Sequence, residues 1–249
     1  MEIEGQMVCG VFLKRINRFL AEVELGSTRT MVHIPNPAKL SELLVPDANV
    51  LLRKSHVIYG QDNRKTKHSI FAVRYKGTLV GIDSRMPNYI FESSLRTNLL
   101  KEFSQWTIAK KDFHYRDSRI DYLLERRKTN SNFKKKFLML LEIKSCSLVI
   151  DKVALFPDVP TIRGLRQIKT LINAVTYDFM CCCVMWIVQR EDAEYLTPLI
   201  KIQPELEDAL VKGVESGLHL LAYKARVETN SINIIGRIPV KLRGNTVHN

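Results

Sequence analysis

The sequence predicts an α/β protein, α+β overall, in which a small N-terminal β-barrel precedes an α/β domain built on a mixed central sheet. Three observations predict it. Over the first eighty residues, short apolar and β-branched runs are separated by Gly, Pro, Asn and Asp, the signature of short strands. After Gly81 the apolar spacing becomes helical in two long segments. Between and after these lies Met180 to Val188, a continuous apolar run typical of a strand buried on both faces. The boundary falls between residues 81 and 82, giving a barrel over 1–81 and a second domain over 82–249.

The barrel strands are expected at Gly10–Leu13, Arg18–Leu25, Thr30–Ile34, Val50–Arg53, His56–Tyr59 and Ile70–Tyr75, with a brief helix near Lys39–Leu44. In the second domain, Ile90, Phe91, Leu95, Leu99 and Phe103 place a helix over Asn88–Phe103, with Asn88 as its cap. Strands follow at Trp106–Phe113, Arg119–Leu124 and Phe137–Lys144. Ile162, Leu165, Ile168, Ile172 and Val175 form one face of a helix over Thr161–Thr176, capped by Thr161. After the buried strand come a helix over Pro204–Ser216, with Pro at its start and Gly217 past its end, and a strand over Leu218–Val227. Helix, three strands, helix, strand is the order of the restriction-endonuclease-like core.

The chain carries 38 Lys and Arg against 26 Asp and Glu, a formal charge of +12. That surplus favours a polyanionic partner, nucleic acid before an anionic membrane. The five cysteines make no C-x-x-C pair, and three of them, Cys181 to Cys183, sit inside the apolar run. This argues against structural zinc and against a disulfide framework, and fits a reducing cytoplasm. The first ten residues carry two glutamates and no apolar stretch, unlike a signal peptide, and Met180–Val188 is too short to span a bilayer. A cytoplasmic protein with no membrane association is expected. No phosphate-binding Gly loop or nucleophile elbow is present.

The chemistry concentrates at Glu142-Ile143-Lys144. On a strand, residues i and i+2 face the same side, so Glu142 and Lys144 share a pocket while Ile143 packs behind. Asp121 lies on the preceding strand, and a hairpin brings it beside Glu142. Two carboxylates and the backbone carbonyl of Ile143 make an oxygen site suited to Mg²⁺ or Mn²⁺. Lys144 would orient or deprotonate water, or stabilise charge on a phosphate. Glu-x-Lys alone is common, and a surface ion pair is the ordinary reading of the tripeptide; the preceding Asp and the element order strengthen the other one. Arg126 to Lys136 holds six basic residues and no acid, next to this site. Arg163, Arg166, Gln167 and Lys169 lie on the polar side of the following helix, whose N-terminus favours an anion.

In order along the chain stand Arg15-Ile16-Asn17-Arg18-Phe19, His33-Ile34-Pro35-Asn36, Asp62-Asn63-Arg64-Lys65-Thr66, Ser118-Arg119-Ile120-Asp121-Tyr122, Glu142-Ile143-Lys144-Ser145, Phe156-Pro157-Asp158, Thr161-Ile162-Arg163-Gly164 and Leu221-Ala222-Tyr223-Lys224-Ala225. On these the chain resembles the sugar fermentation stimulation protein A (SfsA) family over nearly its whole length. The resemblance implies an OB-like nucleic-acid-binding barrel followed by a PD-(D/E)xK nuclease-like domain. It implies binding of DNA, or RNA, with little sequence preference, and metal-dependent cleavage of phosphodiesters. Asp121, Glu142 and Lys144 match the family's metal and catalytic positions, with Glu92 as a further catalytic candidate. The candidate nucleic-acid contacts are Arg15, Arg18, Arg64, Lys65, Lys67, Arg119, Arg163 and Gln167. Three places depart from the family pattern. Pro37-Ala38-Lys39 follows the Pro-Asn of the barrel, Ser93 stands where a glutamate is usual with Glu92 one residue early, and Gln167 stands where a His is usual. The alternative is a non-enzymatic DNA-binding protein, or transcriptional regulator of sugar metabolism, that retains the fold. A homodimer is open by analogy of fold.

Overall fold

The computed structural model describes residues 1–54, 66–127 and 137–247. Strands β1 (Met7–Asn17), β2 (Leu20–Leu25), β3 (Thr28–His33), β4 (Asn49–Lys54), β5 (His68–Tyr75) and β6 (Thr78–Gly81) form a sheet of order β3-β2-β1-β4-β5-β6. It closes on itself where His33 of β3 pairs in parallel with Ser69 of β5. Closure removes the exposed sheet edge. The period-2 pattern turns Phe12, Ala21, Val23, Val32, Val50 and Leu52 inward, and a register shift between β4 and β5 at Leu51/Leu52 lets both Ile70 and Val73 join them, where all are buried. The strand expected at His56–Tyr59 lies outside the described residues.

The short helix expected near Lys39–Leu44 is not formed. Leu40 takes a left-handed φ of 52°, and the N–H groups of Leu43 and Leu44 both donate to its carbonyl, closing a turn. The preceding loop gets its hydrogen bonds from side chains instead. Asn36 accepts from Ala38 N–H and donates to Ile82 O. The Arg15 guanidinium donates to the carbonyls of Arg18, Asn36, Ala38 and Lys39.

The second domain runs α1 (Met86–Arg96), β7 (Trp106–Tyr115), β8 (Ser118–Arg126), β9 (Leu138–Cys146), β10 (Val149–Ile150), β11 (Val153–Phe156), α2 (Ile162–Asp178), β12 (Cys181–Val188), β13 (Tyr195–Pro198), α3 (Pro204–Glu215), β14 (His219–Val227), β15 (Ile232–Ile238), β16 (Val240–Leu242) and β17 (Asn245–Val247). The central sheet has the order β15-β14-β12-β9-β8-β7 and is mixed: β9, β12 and β14 are parallel, the flanking pairings antiparallel. The apolar run β12 sits beside β9 at its middle, buried on both faces as its composition requires. Alternate residues of β9 feed two cores. Leu141 and Ile143 pack with α1, and Leu140 packs with α2 and α3. A second sheet, β10-β11-β13-β16-β17, uses strands too short to show in the pattern.

Helix α1 differs from its expected form. It starts at Met86 with Pro87 in its first turn and ends at Arg96, so Asn88 is a helix residue rather than a cap. Asn98 then turns left-handed (φ 52°), and a 3-10 turn at Lys101–Phe103 delivers Phe103 to the core. In α2 the Thr161 cap forms, its hydroxyl accepting from Gly164 N–H at 3.0 Å. The buried face, however, is Gly164, Gln167, Ile168, Leu171 and Ala174, and Ile162 is 84% exposed. The inward face is thus rotated from the Ile162–Val175 stripe, of which Ile168 is buried and Leu165, Ile172 and Val175 pack partly buried at its edge.

Barrel and second domain meet at Gly81. Its N–H donates to Gln189 O (2.8 Å), its carbonyl accepts from Ser147 Oγ (2.8 Å), and Gln189 Nε2 reaches Asp83 O and Ser145 Oγ. A Cβ on Gly81 would lie 2.8 Å from Gln189 Oε1 and 3.2 Å from Gln189 Cβ, and Gln189 is fully buried. Overpacking of this kind costs ~1–3 kcal/mol. Gly81→Val is therefore expected to lower urea-unfolding stability by about that amount. Gly236→Ala, where an added Cβ meets nothing within 4 Å, should stay within ~0.5 kcal/mol of the parent.

Candidate active site

Strand β8 pairs with β9 from Glu125↔Leu138 to Tyr122↔Leu141, and there the ladder stops. The next residues, Asp121 and Glu142, satisfy the freed backbone with their own carboxylates. Asp121 N–H donates to Glu142 Oε2 (3.2 Å), and Ile143 N–H donates to Asp121 Oδ2 (2.8 Å). On the other side of β8, Asp112 of β7 takes a left-handed φ of 50°, and the β7–β8 register is shifted further along, between Ile108 and Lys110. Tyr122 packs in the α1 core while Ile120 packs in the α2 core. Residues two apart would share a face in a regular strand, so the chain twists at Asp121 and aims its side chain at Glu142.

Lys144 completes the cluster. Its Nζ lies 2.6 Å from Glu142 Oε1 and 2.9 Å from Gln167 Oε1. Gln167 in turn donates through Nε2 to Arg119 O at 2.7 Å. The Glu142 and Lys144 side chains are 4% and 11% exposed, so this is no surface ion pair. Burial pushes the Glu142 carboxyl up to about 7, against the lowering pull of Lys144, with the Asp121 charge adding to the rise. Burial also raises Asp121, against the Ile143 N–H and Lys144. Two desolvated carboxylates side by side call for more positive charge than one ammonium supplies.

The donor set fits a small divalent ion. Both carboxylates are hard oxygen ligands. The N–H and C=O of a strand residue point to the same edge, so the Ile143 carbonyl faces the side where its N–H meets Asp121, beyond the last ladder pair. Among the described residues no third Asp, Glu, His or Cys joins the pair. An octahedral ion here would complete its shell with water and substrate.

Glu92 stands apart from the pair. Its carboxylate accepts from Tyr122 Oη at 2.9 Å and from Lys111 Nζ at 2.7 Å. The α1 residue that does reach the site is Asn88, whose Nδ2 lies 3.4 Å from Asp121 Oδ1. The sequence signal for Asn88 was absorbed by its reading as a cap. Gln167, expected on a solvent-facing polar side, is buried and holds Lys144. Arg119 is exposed, 3.3 Å from Asp112. Arg163 and Arg166 are exposed at the start of α2, with no partner among the described residues. Arg18 is exposed over the Phe19 ring, and Lys67 is exposed. Arg15 is half-buried, its guanidinium donating to loop carbonyls. Arg64, Lys65 and Lys128 to Lys136 lie outside the described residues.

Comparison with known proteins agrees with this frame. Residues 13–82 match the family model described as the SfsA N-terminal OB domain, and residues 85–231 match the sugar fermentation stimulation protein RE domain. A sugar fermentation stimulation protein homolog of Alkaliphilus metalliredigens is 36% identical over 233 residues, 93% of this chain and 95% of that protein. One from Caldanaerobacter subterraneus subsp. tengcongensis is 35% identical over 243 residues, 97% of this chain and 100% of that one. The solved structure of Pyrococcus furiosus SfsA in complex with Ca²⁺ superposes with a TM-score of 0.85 at 24% identity, over 97% of this chain and all of that one.

The electrostatics predict a pH signature. Glu142 is raised above an unfolded glutamate, so its contribution to stability is greatest at low pH and is lost as pH rises to about 7. Removing the Lys144 charge raises Glu142 further, so the loss continues above 7. In chelator, Lys144→Met should therefore cost more at pH 8.5 than at pH 5.5, by ~1–2 kcal/mol on urea unfolding, each pKa unit being ~1.4 kcal/mol. Equal costs at both pH values would contradict the assigned charge coupling.

Proposed function

The chain belongs to the sugar fermentation stimulation protein family, and from that premise we propose that it is a metal-dependent nuclease that binds DNA or RNA and hydrolyses phosphodiester bonds with little sequence preference. The observation that carries the reading is the buried Asp121–Glu142 pair with Lys144 held against it. Burying two carboxylates and an ammonium side by side is costly for stability alone. The arrangement has a use when a cation and a phosphate arrive together.

Mg²⁺ or Mn²⁺ would be held by Asp121, Glu142 and the Ile143 carbonyl; when bound, the ion neutralises charge on the phosphate and makes water a better nucleophile. Asp121 is kept in place by the Ile143 N–H and by Asn88, and Glu142 by the Asp121 N–H. Glu142 sheds its proton to the medium before it can ligate. Lys144 releases Glu142 to its ligand role and turns toward the attacked phosphate, where it orients the nucleophile or stabilises the developing charge. Gln167 sets the direction of that ammonium. Arg163, Arg166 and the N-terminus of α2, with Arg119 and the barrel's Arg18, offer cationic contacts to flanking phosphates.

A second reading, binding without turnover, draws on Glu92, which is tied to Tyr122 and Lys111 and leaves the pair with two acidic ligands. End-labelled DNA and RNA incubated with Mg²⁺, Mn²⁺ or chelator separate the two. Metal-dependent cutting that falls at least ~100-fold in Glu142→Ala, with retained gel shift, is the expected result. Undiminished cutting by Glu142→Ala would place the activity elsewhere. No cutting by the parent in any condition would leave the binder.

Ligand binding should follow pH as well. A carboxyl at about 7 must be deprotonated to hold the ion. By calorimetry, Mn²⁺ affinity should rise about ten-fold from pH 6 to pH 8, with a net proton release read from how the observed enthalpy varies with the buffer's ionisation heat.

A further inference from the structure

A pocket of about 240 Å³ opens between the barrel and the second domain. The barrel contributes Arg18 and the loop from Asn36 to Leu40. The second domain contributes the chain just past Lys144, Ser145 to Leu148, and the segment from Leu155 to the α2 cap Thr161. Its wall therefore begins one residue after Lys144, within ~7 Å along the strand. The volume is below the ~300 Å³ where sites for drug-sized ligands begin, enough for one flat heterocycle and too little for a base pair.

We propose that this pocket takes a single unstacked nucleobase of the nucleotide beside the cleaved bond, so that the substrate is a single strand or a locally melted duplex. The chemistry of the walls favours a base over a phosphate. Leu148, Leu155, Phe156 and Pro160 give apolar faces against which a ring can lie. The carboxylate within is Asp158, which repels phosphate and accepts N–H groups. It already accepts from the backbone of Leu40 and Val159, and a carboxylate has acceptor capacity beyond that for the N–H edge of a base. The cation stands at the rim. Arg18 lies 5.5 Å over the Phe19 ring and spends Nε on Pro37 O, which leaves its other N–H groups to a phosphate. Phe19 is itself 48% exposed and stacked on His33 at 6.5 Å. A strand laid across Phe19 and Arg18 thus meets a stacking surface, a cation, a base slot and the Asp121–Glu142 pair. Only an unpaired nucleotide offers ring face and edge together.

The inference rests on the nuclease reading for where the cut falls, but its test reads binding. Full-length protein in chelator is titrated with single-stranded DNA oligonucleotides carrying one fluorescent aminopurine at successive positions, and with the same sequences as duplex. One position in the single strand should brighten as it leaves its stack. Val159→Phe, which fills the pocket, should abolish that signal and weaken single-strand binding by ~5-fold or more, with duplex affinity changed less than ~2-fold. Arg18→Ala, an exposed change that does not threaten folding, should weaken single-strand binding by ~3-fold or more at low salt. Equal affinity for both forms with no brightening position, or a full signal in folded Val159→Phe, would overturn the proposal. Retained brightening in a protein that never cuts would sink the nuclease reading and leave the pocket standing.

Discussion

The second domain turns on the place where β8 leaves β9. A strand that loses its neighbour leaves buried N–H and C=O groups without partners, and each costs free energy unless replaced. Here the replacements are the carboxylates of Asp121 and Glu142, one accepting from the opposite strand's backbone and the other from its partner's N–H. The same two bonds therefore end the ladder, hold the strands at a fixed separation and fix the acidic pair. A substitution that loosens the carboxylates loosens the sheet edge with them. The geometry of the site is thus determined to the precision of backbone hydrogen bonding, which side-chain rotamers on a loop would not supply.

Around that point, each element contributes one restraint. From α1, Asn88 approaches Asp121; from α2, Gln167 steers Lys144 and ties it to the Arg119 carbonyl. The barrel is held through Gly81, whose backbone is clamped between Ser147 and Gln189 at the ends of β9 and β12. Because β9 carries Glu142 and Lys144 and runs directly into Ser147 of the clamp, the barrel is referenced to the site through that strand. Arg53 and Arg85 on Asp83, with Arg190 over Tyr75, stiffen the same joint. A ligand lying across the joint meets a surface whose two halves are set relative to each other.

Much of this was legible in the sequence, for identifiable reasons. Period-2 runs and the uninterrupted Cys181–Val188 segment announce strands because burial on one or both faces leaves few alternatives. Glu142-Ile143-Lys144 was readable because a strand dictates which side each residue faces. The helix at Lys39–Leu44 was misread because Leu40 turns left-handed and closes a turn there, and the carbonyl of Lys39 is taken by Arg15, which is remote in sequence. β6, β10, β11, β13 and β15–β17 were missed: some are two to four residues long, and none has a distinctive pattern. The face of α2 was read from its largest aliphatics, whereas packing selected Gly164, Leu171 and Ala174. That choice carried Gln167 inward and Ile162 outward.

The rotation of α2 has a physical logic that ties these readings together. A helix packed on its Ile162–Ile172 stripe would bury more aliphatic surface, at roughly 25 cal/mol per Å². It would also turn Gln167 toward solvent and leave Lys144 with Glu142 alone in a nearly dry site. An ammonium has three donors, and a buried one short of acceptors is strongly penalised. Small Gly164 and Ala174 let the helix approach the sheet, and Gln167 then supplies an acceptor to Lys144 and a donor to the Arg119 carbonyl in one side chain. A neutral amide offers this acceptor at any pH, whether or not Glu142 carries its proton. Apolar burial given up on Ile162 is thereby exchanged for the orientation of Lys144 against the acidic pair.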